Sequence, residues 1–154
     1  MTIKERLGSL DEERRWEDSI PFHYEYTAGV AGERFLRGLI EGRILGSHCE
    51  RCKITYLPPK MYCTNCFNEI TEYRDLGLRG RVDALSEVFV DFDGRRVQKP
   101  YIIGFVTFKG AKGGIIQRVT GHGAKIGSRV VVNFKPRARR IGALSDVVSF
   151  VVES

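Results

Sequence analysis

The alternation of hydrophobic and polar positions divides the chain into three regions. Residues 28–42 carry apolar side chains at helical spacing, and Gly42 supplies a helix stop signal. Residues 43–77 contain short strand-like runs, whereas residues 78–154 alternate in longer runs with glycine-containing turns between them. The pattern predicts a mainly β fold with an N-terminal helical arm over residues 1–42, followed by two β units.

The helical arm has two helix start signals. Ser9 and Glu12 match a capping box, which predicts a short helix near the N-terminus, and Thr27 precedes the longer helix. An arm of this size does not fold alone, so it must lie on the rest of the chain or on a partner. Its aromatic and apolar side chains could dock on a larger enzyme or simply cover the following unit; they are Phe22, Tyr24, Tyr26, Phe35 and Leu39.

The last region reads as all β. Five runs predict strands over residues 81–90, 101–108, 114–120, 129–134 and 147–152. Turn residues separate them, with Gly113 and Gly114 among the predicted links. Five short strands in fewer than eighty residues fit a small closed barrel, of which the OB-fold is the commonest five-stranded type, with a small sandwich as the alternative.

All four cysteines lie in the middle region as two Cys-x-x-Cys pairs, Cys49 with Cys52 and Cys63 with Cys66. Two such turns that face each other supply four thiolates to one tetrahedral ion. Disulfides suit exported chains, and a redox pair usually occurs singly in a βαβ pattern. The spacing therefore predicts a structural metal site that holds zinc, or iron as the alternative, with no coordination position open for catalysis.

Short strands predicted over residues 43–48, 54–57 and 70–76 surround the cysteines and describe a zinc ribbon. So small a unit has little core, so the metal supplies much of its stability. Lys53 and Phe67 follow the two pairs, at positions where glycine is common because it eases the tight turn. His48 could replace a cysteine as ligand, but a neighbour of Cys49 at a strand end is the simpler interpretation.

Composition adds a location and a charged segment. The chain has 154 residues and is 42% hydrophobic, enough for a real core, and neither a membrane-spanning run nor a signal peptide pattern is visible, so we expect a cytoplasmic protein. Of its net charge of +6, the basic part lies in residues 109–140, which hold nine Lys and Arg and no acidic residue. Such a segment attracts phosphates on nucleic acid, a membrane surface or a phosphorylated cofactor, or is a solvated face.

The residues that could act in catalysis point away from an independent enzyme. The three histidines, His23, His48 and His122, lie in no recognisable nucleophile motif, and no P-loop or dinucleotide fingerprint is present. Asp91 and Asp93 beside a glycine are better explained as turn formers than as a carboxylate pair. We therefore predict no catalytic residues.

The whole chain resembles the acyl-CoA-associated proteins that join a rubredoxin-like zinc ribbon to an OB-fold, long filed as a domain of unknown function. The residues that carry the resemblance are the two cysteine pairs with Pro58-Pro59 between them, together with Gly38–Arg43, Tyr56–Lys60, Gly80–Val82, Pro100-Tyr101 and Gly127–Val130. The resemblance implies a non-catalytic accessory subunit that binds acyl-CoA and bridges thiolase-type enzymes. Such proteins are linked to acetoacetyl-CoA thiolase with hydroxymethylglutaryl-CoA synthase, or to enzymes of sterol side-chain breakdown.

The basic segment suits CoA, because its phosphates accept charge-assisted hydrogen bonds from Arg and Lys. The candidate CoA contacts are Arg118, Lys135, Arg137, Arg139 and Arg140. The rival function is nucleic-acid binding, which zinc ribbons and OB-folds also perform. Against it, Phe134 is the only aromatic residue inside the basic segment, whereas stacking platforms interleave aromatic and basic side chains.

Overall fold

The computed structural model of the chain describes residues 26–91 and 93–153. The capping box at Ser9 and the aromatic residues Phe22 and Tyr24 lie outside the described residues. The elements, in chain order, are α1 (Gly29–Glu41), β1 (Leu45–Cys49), β2 (Ile54–Leu57), β3 (Glu72–Asp75), β4 (Arg79–Val90), β5 (Arg96–Phe108), β6 (Ala111–Thr120), β7 (Arg129–Phe134) and β8 (Val147–Val152). Two 3₁₀ turns, Arg137–Arg139 and Leu144–Asp146, lie between β7 and β8.

Helix α1 ends as predicted, at a left-handed glycine. Gly42 has φ 77°, a conformation that costs glycine little, and its N–H donates to the carbonyl of Leu39 at 3.0 Å. The next N–H, of Arg43, donates to the carbonyl of Gly38 at 2.8 Å, which completes a Schellman-type end. The reversal directs the chain straight into the ribbon.

The apolar stripe of α1 is covered by this chain itself. Phe35 and Leu39 are buried and share one hydrophobic core with Leu57 of the ribbon and with Val106 and Phe150 of the last region. The hypothesis that Phe35 and Leu39 dock on a larger enzyme is therefore wrong. The helix instead contributes apolar surface where the two β units meet.

The ribbon is a three-stranded antiparallel sheet in the order β3-β1-β2. Its strand β2 also pairs in parallel with β6, with Thr55 opposite Ala111 and Leu57 opposite Gly113. A Cβ added at Gly113, which has φ 100°, would collide with the carbonyl oxygen of Leu57. The join therefore requires glycine, and it makes the ribbon and the last region one continuous eight-stranded sheet.

The last region closes into a five-stranded barrel. Its strands follow the order β6-β5-β4-β7-β8, and a parallel pairing of β8 with β6 closes the ring. In that pairing Val119 lies opposite Phe150, and both are buried. Closure confirms the mainly β, OB-type barrel predicted from the sequence and removes the sandwich alternative.

Several strand boundaries differ from the sequence prediction, and the largest shifts are at the starts of β5 and β6. β5 begins at Arg96 rather than at residue 101, because its polar first half pairs with β4 in an exposed hairpin. β6 begins at Ala111 rather than at residue 114, because its first residues pair with the ribbon. The prediction that Gly113 and Gly114 form a link is wrong, since both lie inside β6. Among the described residues, no helix is long and apolar enough to cross a membrane.

Candidate metal centre and basic loop

The four cysteine sulfurs converge where the two turns of the ribbon face each other. Cys49 ends β1 and Cys52 follows in the turn, while Cys63 and Cys66 come from the loop between β2 and β3. All four Sγ atoms lie within 4.8 Å of one another, and those of Cys49 and Cys66 are 3.6 Å apart. All four thiols are free of disulfide bonds. The structure thus brings together every residue predicted to hold a metal.

The sulfur positions fit a tetrahedral ion. Zinc–sulfur bonds of about 2.3 Å place two tetrahedral sulfurs about 3.8 Å apart, close to the separation of Cys49 and Cys66. Cys49 and Cys63 are buried, whereas Cys52 and Cys66 are partly exposed. Four thiolates would complete the coordination shell, so Cys49, Cys52, Cys63 and Cys66 would hold a structural metal with no open position.

Hydrogen bonds to Cys63 Sγ favour the thiolate form that a metal needs. The Tyr56 hydroxyl lies 3.3 Å from Cys63 Sγ and accepts a hydrogen bond from the Thr64 hydroxyl at 3.1 Å. The backbone N–H of Asn65 also donates to Cys63 Sγ, and its side-chain amide donates to Cys52 Sγ. The Tyr56 hydroxyl is the main cause that lowers the pKa of Cys63 to about 6. Neither Tyr56 nor Asn65 was predicted as a functional residue, because the cysteine spacing does not mark the hydrogen-bond partners of the sulfurs.

The two residues that depart from glycine after the cysteine pairs carry the expected strain. Lys53 has φ 55° and Phe67 has φ 58°, the only left-handed non-glycine residues among those described. Both follow the second cysteine of a pair, where the chain turns around the four sulfurs. A side chain in this conformation costs about 1 kcal/mol or more.

Replacing Lys53 or Phe67 by glycine is expected to stabilise the metal-loaded protein by about 0.5–1 kcal/mol each. Glycine removes the strain of the left-handed conformation, and its greater entropy in the unfolded chain offsets only part of that gain. Chemical denaturation of the zinc-loaded protein measures the difference. The matched controls are Lys53→Ala and Phe67→Ala, which remove the same side chains but keep the strain. Equal stabilities of the alanine and glycine variants would contradict the prediction.

A buried carboxylate organises the connection between β7 and β8, here called the basic loop (residues 135–146). Asp146 has no solvent-exposed side-chain surface, and its Oδ2 accepts N–H bonds from Ile141, Gly142 and Ala143 at 3.0, 2.7 and 3.2 Å. Lys135 Nζ lies 3.6 Å from Asp146 Oδ1. Burial raises the pKa of Asp146, but the three N–H donors and Lys135 together outweigh it and hold the pKa below its ordinary value.

The five candidate CoA contacts have different environments. Lys135 pairs with Asp146, and Arg140 donates to the carbonyls of Lys135 and Ile40 while it stacks over Phe134, so both hold the basic loop together. Arg118 lies on β6 with its guanidinium 4.0 Å from the ring centre of Tyr101. Arg137 and Arg139 are exposed on the first 3₁₀ turn of the loop. Arg118 is exposed as well, but its guanidinium already contacts a ring, so Arg137 and Arg139 are the simplest candidates for a ligand contact.

A four-cysteine ribbon continuous with a five-stranded barrel defines the class of protein. Residues 38–72 match the family model for the ChsH2 rubredoxin-like zinc ribbon domain. A DUF35-family protein of unknown function from Sulfolobus solfataricus is 27% identical, with a TM-score of 0.66 over 84% of this chain and 90% of that chain. The chain of the Ltp2-ChsH2(DUF35) aldolase aligns with a TM-score of 0.58 at 15% identity, over 77% of this chain and 91% of that chain, and shows a likeness of fold.

A search of curated proteins finds no significant match. The ribbon match and the 27%-identical structure confirm the resemblance to DUF35-type proteins with a rubredoxin-like zinc ribbon, and the second structure shows the same fold.

Proposed function

We propose that this chain is a non-catalytic accessory subunit that binds acyl-CoA and bridges thiolase-type enzymes, with acetoacetyl-CoA thiolase and hydroxymethylglutaryl-CoA synthase as the expected partners. The observation that carries the proposal is the shared ribbon-and-barrel architecture of this chain and the chain from the Ltp2-ChsH2(DUF35) aldolase. The metal would stabilise the ribbon and take no part in catalysis, because four thiolates leave no coordination position for a substrate.

The basic loop supports the CoA part of the proposal. Arg137 and Arg139 place two exposed guanidinium groups on one short turn, and such groups donate charge-assisted hydrogen bonds to phosphates. Lys135 and Arg140 would contribute by holding the loop, and Arg118 would contribute from β6. The Arg137 and Arg139 turn is therefore the first place to test for phosphate recognition.

Replacing Arg137 and Arg139 together by alanine is expected to weaken CoA binding by about tenfold or more, because each charge-assisted hydrogen bond contributes roughly 1.5–3 kcal/mol. Isothermal calorimetry with CoA measures the effect on the chain alone and on the complex with its enzyme partner. The control variant replaces Arg95 and Arg96, on the exposed β4–β5 hairpin, and should bind CoA as the wild type does. Equal weakening of CoA binding in both variants would contradict a specific role of Arg137 and Arg139 and would indicate an effect of net charge.

The partner and the absence of catalysis need separate tests. The tagged chain, purified from its native cells, should retain a thiolase-type enzyme that mass spectrometry identifies. The purified chain alone should not turn over acetoacetyl-CoA. Unaided turnover would contradict the accessory role. Tight binding of single-stranded RNA with a steep salt dependence, and none to CoA, would favour the nucleic-acid alternative.

A further inference from the structure

The opposite face of the ribbon carries a second group of metal-binding side chains. One ligand atom from each of His48, Glu50 and Glu72 lies within 4.8 Å of those of the other two. His48 and Cys49 are neighbours on β1, and successive side chains of a strand point to opposite faces. The group therefore lies across the strand from the four sulfurs and shares no ligand with them.

The register of the ribbon directs His48 into this group. His48 lies opposite Thr55 on β2 and opposite Glu72 on β3. Its Nδ1 is 2.8 Å from the Thr55 hydroxyl, which fixes the ring. Because Thr55 and Glu72 flank His48 on opposite sides, a ring held in this way turns Nε2 toward Glu72.

The His48 Nε2 atom is the independent sign of a missing ligand. His48 is only 4% exposed, and Nε2 is buried without a hydrogen-bond partner among the described residues. A buried polar atom without a partner is costly, so native proteins normally satisfy it. A cation bound to Nε2 and to the two carboxylates would satisfy it here.

We infer that His48, Glu50 and Glu72 form a second divalent-cation site, with zinc as the preferred ion. One imidazole nitrogen and two carboxylate oxygens are ligands that zinc accepts, and three protein ligands leave one position for water. The Nδ1 contact with Thr55 orients the ring as such contacts do for metal-bound histidines. The site adds to the structural metal and does not depend on the proposed function.

Two basic side chains compete with the cation for the carboxylates. Arg74 contacts Glu72 at 2.5 Å and Glu50 at 3.3 Å, and Lys53 contacts Glu50 at 2.7 Å. The Arg74 and Lys53 side chains are 47% and 72% exposed, so solvent screens these ion pairs and their release costs little. Removal of Arg74 should therefore tighten cation binding, an effect that a merely structural ion-pair network would not produce.

Metal titration of the full chain, with its four-cysteine site already loaded, tests the inference. Zinc added in excess and followed by desalting and elemental analysis should give a second equivalent per chain. Glu72→Gln and Glu50→Gln should each weaken that equivalent by about tenfold or more, whereas Arg74→Gln should tighten it severalfold. The matched control is Glu69→Gln, an exposed glutamate of the ribbon outside the group, which should change nothing.

Spectroscopy identifies the ligands directly. Nitrogen NMR of the histidine rings during zinc titration should show a coordination shift at His48 Nε2 and none at His122, which lies in an exposed turn. When cobalt is the probe, the second equivalent should add weak visible absorption bands and no further sulfur-to-metal charge-transfer absorption. A single metal equivalent, or a second one that survives Glu72→Gln with an unshifted His48 ring, would overturn the inference.

Discussion

Cys63→Ser is expected to lose the structural metal and to unfold the ribbon. Structural zinc in small ribbon-like units supplies about 10–16 kcal/mol of apparent binding free energy, which is also folding free energy. The small core around Cys49, Tyr56, Cys63 and Ile70 consists largely of the ligands and their hydrogen-bond partner, so little remains to hold it without the ion. Elemental analysis and thermal unfolding of the purified variant measure both losses.

Thr64→Ala provides the control for Cys63→Ser. Thr64 lies between Cys63 and Cys66, and among the described residues its hydroxyl donates only to the Tyr56 hydroxyl. The metal content of the variant should therefore stay at the wild-type level. The same elemental analysis separates zinc from iron in the wild type. A Cys63→Ser protein with full metal content and an unchanged melting temperature would contradict the four-cysteine assignment.

Asp146→Ala is expected to destabilise the protein by about 3 kcal/mol, because three backbone N–H groups lose their common buried acceptor. Asp146→Asn keeps one acceptor oxygen for the N–H groups but loses the charge and the oxygen that faces Lys135, so its cost should be smaller, about 1 kcal/mol. Denaturant unfolding measures both values, and hydrogen exchange should locate the loss at Ile141, Gly142 and Ala143. The exposed Asp83→Ala on β4 is the control and should stay within about 0.5 kcal/mol of wild type.

The penalty of the Asp146 variants should depend on pH. The pKa of Asp146 is lower in the folded than in the unfolded protein, so its ionised form adds stability above the unfolded-state pKa of about 4. That contribution disappears as the pH falls through the folded-state pKa. The difference between wild type and Asp146→Asn should therefore be full at neutral pH and shrink in acid. A constant difference across this range would show that the carboxylate charge is not what holds the loop.

The cluster of four cysteines could be predicted from the sequence, because its geometry is local. Two residues between the cysteines of each pair already define a turn, so Cys49, Cys52, Cys63 and Cys66 needed no tertiary information. The strands β2, β7 and β8 were also predicted within their observed bounds, since their apolar runs end at turn residues. The departure from glycine at Lys53 and Phe67 was visible in the same local pattern, and both residues have positive φ in the structure.

What escaped prediction depends on contacts between distant parts of the chain. Gly113 looked like a turn residue, but its role is set by the carbonyl of Leu57 on the ribbon. Asp146 carried no motif, and only the folded loop brings three N–H groups to its carboxylate. Arg140 was grouped with Arg137 by charge alone, yet its contacts with Lys135 and Ile40 make it part of the scaffold. Charge counts do not distinguish these environments.

The parallel pairing of β2 with β6 has a geometric consequence. Backbone hydrogen bonds join the two strands directly, so the ribbon and the barrel are not connected by a flexible linker. An enzyme seated on one and a cofactor held by the other would keep a constant distance and angle. The chain would then act as a rigid spacer, and the distance between its ribbon and its barrel would determine where a bound acyl group can be presented.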